Sequence, residues 1–333
     1  MSVLNSGEII LVDGANCLVE KWDIFGSVVG HFGGHSGLGE SKLKEPVGAF
    51  VCGDLIVVTD WHNHRLVFLD QDLNFQFEYG ARGVLPNESL FLRVVKYMRL
   101  LFYKGAYIPS HFGTPAVRGT PPKVGGYSFL TGISCIWDLI LSPSSMRNVY
   151  LSLVSNSRVM YKPNGVCILD DMLLITQKNN RCVSLFRIES RGLLHLGHHS
   201  NSIPNKSFGR LGQCFSWQGL FWVCDPENAC VWKVDRSGSC VGFFSATELG
   251  LVGAEFFPFG GCGIRDGLVA LGGKECLFLV DVEKGTCIHH ERVGGEIHGL
   301  AYCRASDKLF VADRKHGKLK MFAFYLDSKN CAS

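Results

Sequence analysis

The sequence has no apolar run as long as the roughly 20 residues that a membrane-spanning helix needs. The best candidate, residues 128 to 142, is shorter and contains Asp138. The first residues also lack a basic segment followed by an apolar stretch and a small-residue cleavage site, so no secretory signal is expected. We therefore expect a soluble protein with no transmembrane segment.

An excess of charge of either sign is also lacking. The chain has 33 Lys and Arg against 30 Asp and Glu among 333 residues, which gives a net charge of +3. The overall charge therefore says nothing about nucleic acid or anionic lipid, and any such attraction has to come from local patches.

Motifs of the common catalytic and metal sites are lacking as well. There is no HExxH, GxSxG, Walker A or dinucleotide-binding glycine pattern, and none of the 14 cysteines forms a CxxC pair. Most of the cysteines lie in apolar runs, as Cys182 and Cys276 do, where a thiol behaves as a small hydrophobic group. They indicate reduced core residues, and hence the cytoplasm or another reducing intracellular compartment, with a disulfide framework as the alternative.

What the sequence does have is a recurring polar turn, clearest in VVTDWHNHRLVFLD at residues 57–70, which contains Asp60, Asn63 and Arg65. Five further copies align with it, and the fifth copy keeps little more than the apolar frame. The residues aligned in these other copies are Asp13 and Asn16; Thr176, Asn179 and Arg181; Asp225 and Asn228; Leu271; and Asp313.

The spacing of the copies indicates the architecture. From one copy to the next the first positions are 47, 116, 49, 46 and 42 residues apart, so all intervals but one describe a unit of one size. Each unit alternates short β-rich runs with Gly, Asn and Asp turns, which is typical of four antiparallel strands. Units of this length and content are blades of a β-propeller, and six copies predict six blades.

The second copy, with Asp60, Asn63, Arg65, Leu66 and Phe68, resembles the NHL repeat, and the likeness extends over about four fifths of the chain. The resemblance implies a six-bladed NHL-like propeller. In such a turn the Asp accepts hydrogen bonds from backbone N–H groups, the Asn adopts the turn dihedrals, and the Arg on the next strand reaches a carboxylate. We expect the aligned Asp, Asn and Arg residues to be structural.

The resemblance also identifies where chemistry would lie. NHL-like enzymes that cleave peptidyl-hydroxyglycine hold a metal with histidines from several blades around the axis. Among the segments expected to line the axis here, only His298 supplies a histidine, and only Asn164 and Gln213 supply a side-chain oxygen. We expect no catalytic residue, no metal and no cofactor, and keep a metal-dependent lyase or hydrolase as the second alternative.

The one long interval contains a basic insertion, residues 91–162, between the second and third blades. It has nine basic residues and one acid, a net charge of +8, whereas the remaining 24 basic and 29 acidic residues give −5. The chain is thus divided into blades one and two (1–90), the insertion, and blades three to six (163–333). The positive charge is therefore concentrated in the insertion, although the net charge of the whole chain is small.

The insertion has two parts. Residues 89–104 have the periodicity of an amphipathic helix, followed by a Pro- and Gly-rich arm with isolated basic and aromatic residues. The residues predicted to bind a partner are Arg93, Lys96, Arg99 and Lys104 on the helix, and Phe112, Arg118, Lys123 and Tyr127 on the arm.

These features favour a non-catalytic propeller scaffold, a subunit that docks onto a protein partner or a large complex through the insertion. The first alternative is RNA binding through residues 91–162, with phosphate contacts from the basic residues and base stacking on the aromatics. The helix 89–104 is also compatible with peripheral membrane contact, or with packing on its own ring.

Overall fold

The structure is a computed structural model, and it describes residues 1–34, 42–82, 159–160, 162–189, 192–200, 202–203, 206–251, 256–265 and 267–323. These residues form an all-β fold of antiparallel sheets, each built mainly from strands that follow one another in the chain. The part of the chain that the structure describes contains no helix able to cross a membrane.

The first two blades have four strands each, paired in chain order. Blade one contains β1 (Ser2–Val3), β2 (Ile9–Asp13), β3 (Leu18–Trp22) and β4 (Val28–Gly33), and blade two contains β5 (Pro46–Cys52), β6 (Leu55–Asp60), β7 (Arg65–Asp70) and β8 (Phe75–Tyr79). After blade two, β9 (Ala81–Arg82) pairs in parallel with β10 (Val159–Met160), so the chain returns to the ring beside the point where it left.

The third and fourth blades repeat this arrangement. Blade three contains β11 (Pro163–Leu169), β12 (Met172–Gln177), β13 (Cys182–Glu189) and β14 (Gly192–His199). A small hairpin of β15 (Ser202–Ile203) and β16 (Lys206–Ser207) leads to blade four, which contains β17 (Cys214–Trp217), β18 (Leu220–Asp225), β19 (Cys230–Val234) and β20 (Cys240–Ser245).

The fifth blade differs, because it is a single sheet of six strands. Its strands are β21 (Gly260–Gly263), β22 (Leu268–Gly272), β23 (Lys274–Asp281), β24 (Thr286–Cys303), β25 (Lys308–Asp313) and β26 (Lys318–Ala323). Strand β24 runs through 18 residues, pairing with β23 as far as Glu296 and with β25 from Ile297 onward.

The predicted fold class is therefore corrected. The described strands form five blades and not six, because β24 joins the fifth and sixth sequence copies into one sheet without a break. The described residues contain no helix, whereas the prediction had a partly helical insertion. The predicted helix 89–104 itself lies outside the described residues.

The hydrophobic core is divided among the spaces between neighbouring sheets. One buried cluster lies between blades three and four and includes Leu174, Phe221 and Trp232. Others lie between blades one and two, two and three, and four and five. Ile9 of blade one packs with Cys303 and Phe310 of blade five, so burial also holds the first blade against the last.

Candidate functional site

The polar turns of the repeat lie at one face of the ring. In blade two the turn joins β6 to β7, and Asp60 at its start pairs with Pro46, the first residue of the innermost strand. Pro163 with Gln177 and Ile297 with Asp313 repeat this pairing. We call the face that contains these turns, where the innermost strands begin, the Asp-turn face.

Asp60 is the buried acid of the turn in blade two, the clearest copy of the repeat. It is fully buried and accepts hydrogen bonds from Lys44 N, Asn63 Nδ2 and Arg65 Nε, each 2.8 Å long. Arg65, itself only 4% exposed, also pairs with Glu78. Burial raises the pKa of Asp60, and these three donors oppose that effect. Through these contacts the turn is bonded to Lys44, which lies just before β5, and to Glu78 of β8.

Other copies keep the Asp and change its partners. Asp225 accepts from Gly209 N at 2.8 Å, from Asn228 Nδ2 at 2.8 Å and from Trp232 Nε1 at 2.9 Å. Asp13 accepts from the backbone and side chain of Asn16. The contacts of Asp313 are with His316, whose Nδ1 is 2.9 Å away, and with Lys320 Nζ at 3.1 Å.

In the third copy the structure places the motif one residue later than the sequence alignment does. Asn180, and not Asn179, donates to the residue three positions before it, through a 2.7 Å bond from Nδ2 to Gln177 Oε1. Gln177 therefore stands where the other copies have Asp, and Arg181 stands one position before the place of Arg65.

Backbone conformation supports this register. The fourth residue after the Asp position has a positive φ in five copies, with values of 57° at Cys17, 58° at His64, 51° at Arg181, 49° at Ala229 and 59° at Gly317. Arg181 is exposed, and its Nη2 donates to Glu227 Oε1 of blade four at 2.8 Å. It thus links neighbouring blades rather than its own turn.

Threonine hydroxyls bind adjacent innermost strands to each other. Thr59 Oγ1 donates to Asn164 O at 2.8 Å, and Thr176 Oγ1 donates to Gly212 O at 2.7 Å. Both threonines are completely buried and each directly precedes the Asp position of its turn. Thr176 therefore corresponds to Thr59, which again places the third copy one residue later than the sequence alignment does.

The innermost strands enclose an axial cavity of about 280 Å³. Its wall is part apolar and part polar, with Val51, Val166, Phe215, Gln213 and Ser216 among the lining residues. Asn164, the other amide considered for the axis, is turned away to donate from Nδ2 to Leu211 O at 3.0 Å. Gln213 and His298 are the lining residues nearest the Asp-turn face.

His298 is held in a fixed orientation at that end of the cavity. Its ring stacks on Phe259, with centroids 4.5 Å apart and an interplanar angle of 4°, and its Nε2 is 3.6 Å from Glu296 Oε2. Burial, and then the positive charge of Arg314, lower the pKa of His298 to about 4. The imidazole is therefore neutral at pH 7.

Three cationic residues from different blades lie near enough for the charges of Arg210 and Arg314 to act on Lys178, and those of Arg314 and Lys178 also act on His298. Lys178 follows the Asp position of blade three, Arg210 precedes β17, and Arg314 follows Asp313. Burial lowers the pKa of Lys178, and the nearby charges of Arg314 and Arg210 lower it further. We call Lys178, Arg210 and Arg314 the basic mouth.

The basic mouth was not among the residues predicted from the sequence. All eight residues predicted to bind a partner, from Arg93 to Tyr127, lie outside the described residues. A signal for two of the mouth residues was available, since Lys178 and Arg314 both directly follow the Asp position of their turns. No group of three or more His, Cys, Asp or Glu side chains that could hold a metal is found within the described ranges.

The two ends of the segment that contains the basic insertion are at the Asp-turn face of blade two. Gly80, just before β9, lies against His64 O and the Cα of Arg65. Just after β10, Lys162 N donates to His64 Nδ1 at 3.1 Å, and its ammonium group is 4.2 Å from the centre of the Trp61 ring. The two ends of this segment and the basic mouth therefore lie on one face.

The sheet arrangement and the axial cavity define the class of protein, which is a β-propeller. A streptogramin B lyase structure is similar to the chain with a TM-score of 0.51 and 10% sequence identity, covering 97% of this chain and 82% of that one. A catalytically inactive virginiamycin B lyase from Staphylococcus aureus with quinupristin gives 0.50 and 9%, covering 98% and 84%. At such identities the likeness concerns the fold alone.

The WD40 β-propeller domain of Doa1 is also similar, with a TM-score of 0.49 and 9% identity over 94% of this chain and 74% of that one. No family model matches the sequence, and no curated protein matches it either. The propeller is thus established, and the resemblance to the NHL repeat stays a prediction.

Proposed function

We propose that the protein is a non-catalytic propeller subunit, which binds a protein partner through the Asp-turn face and the basic insertion. The observation that carries the proposal is the common location of the ends of the insertion segment and the basic mouth on one face of the ring. A surface contributed by several blades and one long segment is suited to docking.

Charge on this face favours an acidic partner. Lys42, Lys44, Arg210, Arg314 and Lys315 are all exposed there. The insertion, a segment whose two ends lie at this face, has a net charge of +8. Opposite charge on a partner accelerates encounter and disfavours basic competitors, and the effect weakens with salt.

The test replaces the insertion and measures association. Strands β9 and β10 lie side by side, so a Gly/Ser linker of about eight residues between Arg82 and Val159 can span the gap. We expect a folded ring with an unchanged circular dichroism spectrum that no longer associates with the partner isolated with the native protein. Retained association in a correctly folded ring would remove the role of the insertion.

RNA binding through the same residues is the second candidate, and the exposed cations of the Asp-turn face are the observation that favours it. It makes a different prediction, because affinity for single-stranded RNA falls steeply with salt in proportion to the number of phosphate contacts. A titration of the full chain with an oligouridine at several salt concentrations separates the two. Measurable, salt-dependent binding would favour RNA over a protein partner.

A further inference from the structure

We propose that the basic mouth, together with the axial cavity behind it, is a binding site for an acidic peptide segment in which a carboxylate is followed by an apolar side chain. The inference rests on the proposed interaction role and specifies the chemistry of the partner. Its argument is independent of the insertion, since it uses only residues of the ring.

The first step is that the three cations are held in place by the fold. Arg314 N donates to Glu296 O at 2.9 Å, and Arg210 N donates to Glu227 Oε2 at 2.6 Å, so both backbones are fixed at the rim. Lys178 lies in the turn that follows Gln177, whose own position is set by the hydrogen bond from Asn180. Three different blades thus direct positive charge to one place.

The second step is that these cations have no matching carboxylates, whereas three other cations of the face do. Arg65 pairs with Asp60, Arg181 with Glu227, and Lys320 with Asp313. Within the described residues, Lys178, Arg210 and Arg314 make no ion pair. Glu296 is the one carboxylate that acts on Lys178, and it is 3.6 Å from His298.

Like charges that lie near one another repel, and here one of the three, Lys178, is also partly buried. With His298 neutral, the three cations and Glu296 give the mouth a net charge of about +2. A carboxylate that binds there would accept charge-assisted hydrogen bonds from Lys and Arg, and it would also reduce the repulsion among the three cations. Among its described residues the ring supplies only Glu296 against these three cations.

The cavity indicates the kind of molecule that carries the anion. Its volume of about 280 Å³ is at the small end of ligand pockets and is suited to one or two side chains. The wall beyond His298 is mixed, with polar groups such as Ser216 beside the apolar side chains of Val51, Val166, Phe215 and Leu300, and an apolar group can contact these four. A peptide can place its carboxylate on the cations and a neighbouring apolar side chain in the cavity.

A nucleic acid fits this site less well. Its phosphates repeat along a backbone and require a continuous basic track. Here the cations are interrupted by Glu45, Glu227 and Glu296, and Glu45 holds His62 through a 2.7 Å contact. A single discrete anion avoids those carboxylates, whereas an extended polyanion passes close to them.

The experiment measures fluorescence anisotropy of the full chain with a fluorescein-labelled hexapeptide of alternating glutamate and leucine. The test variant is Lys178→Gln with Arg314→Gln, and the matched control is Arg187→Gln with Arg236→Gln. The control removes two half-exposed cations that pair with Asp171 elsewhere on the ring. A lysine–leucine hexapeptide and a single-stranded oligouridine serve as alternative ligands.

We expect the acidic peptide to bind wild type and control equally, and to bind the test variant at least about tenfold more weakly, since two charge-assisted contacts are lost. The lysine–leucine peptide should not bind. Equal affinity of all three proteins for the acidic peptide, its failure to bind wild type, or tighter binding of the oligouridine with the same loss in the test variant would each overturn the inference.

Folding and the broader proposal are checked separately. Removing the repulsion at the mouth should leave the melting temperature of the test variant equal to or above that of wild type, so weaker binding cannot be attributed to unfolding. If the peptide fails to bind while the native partner still associates with the full chain, only the peptide inference falls. If association persists without the insertion, the insertion's role falls and the mouth remains as proposed.

Discussion

Truncation of Asp60 is the sharpest test of the structural role assigned to the repeat. In Asp60→Ala, Arg65 loses the carboxylate bonded to its Nε at 2.8 Å and keeps Glu78 as its carboxylate partner. The backbone N–H of Lys44 and the amide of Asn63 lose their acceptor as well. All of this occurs at a site where Asp60 is fully buried and Arg65 is 4% exposed.

The expected cost follows from what is left behind. Removing one partner of a buried ion pair costs about 3–5 kcal/mol, chiefly because the other charge stays buried without compensation. The contact between Arg65 and Glu78 persists, so we expect a loss near the lower end, about 3 kcal/mol in the free energy of unfolding. Such a loss is a large part of the roughly 5–15 kcal/mol that stabilises a typical domain.

A second substitution tests the cause. Since burial raises the pKa of Asp60, the ionised pair as a whole contributes little net stability, and the damage in Asp60→Ala comes from stranding Arg65. Adding Arg65→Met to Asp60→Ala should therefore recover a substantial part of the loss, about 1 kcal/mol or more.

Urea unfolding followed by tryptophan fluorescence measures these differences, with Asp13→Ala as the matched control. Asp13 occupies the same position in blade one and is partly exposed, and within the described residues its one hydrogen-bond partner is Asn16, so we expect a loss of at most about 1 kcal/mol. Equal, mild effects at Asp60 and Asp13 would refute the reasoning, as would a double variant less stable than Asp60→Ala.

Two further predictions concern stability. Thr176→Val leaves Gly165 N and Gly212 O without the hydroxyl that each bonds at 2.7 Å, so thermal or urea unfolding should show a loss of about 2–3 kcal/mol, and Thr176→Ser should recover most of it. Burial lowers the pKa of His198 from 6.5 to about 3, so the unfolded chain binds a proton first as the pH falls. Stability is therefore complete above pH 6.5 and is lost below it, by about 2 kcal/mol at pH 5, and His198→Asn should flatten this part of the pH profile. An unchanged profile in that variant would contradict the assignment.

The parts of the fold that depend on local pattern could be predicted from the sequence, and the parts that depend on pairing could not. Polar turns at Asp13, Asp60 and Asp225 indicated a propeller because each turn forms its own hydrogen bonds. The number of blades was wrong because six copies of the turn were counted as six blades, yet β24 joins the fifth copy to the sixth through Gly294 and Gly295, with positive φ at both. Nothing in the local pattern distinguishes a bend from an end.

The register of the third copy and the location of the candidate site could not be predicted from the local sequence pattern. With Gln177 in place of an Asp, the alignment took its register from Asn179 and Arg181, and the hydrogen bond from Asn180 and the positive φ at Arg181 were needed to correct it. The basic mouth brings together Lys178, Arg210 and Arg314 from separate repeats across the ring. Such a convergence follows from closure of the ring, which no single repeat encodes.

The central claim is that the Asp-turn face is where a protein partner binds, and one comparison tests it most directly. The comparison uses three proteins, which are wild type, the double variant Lys178→Gln with Arg314→Gln, and the double variant Arg187→Gln with Arg236→Gln. After ribonuclease treatment, each is tested at about 0.15 M salt for retention of the partner identified with the native protein. The account predicts equal retention by wild type and the Arg187 and Arg236 variant, and clearly reduced retention by the Lys178 and Arg314 variant. Equal retention by all three proteins, or loss of the partner on ribonuclease treatment alone, would contradict it.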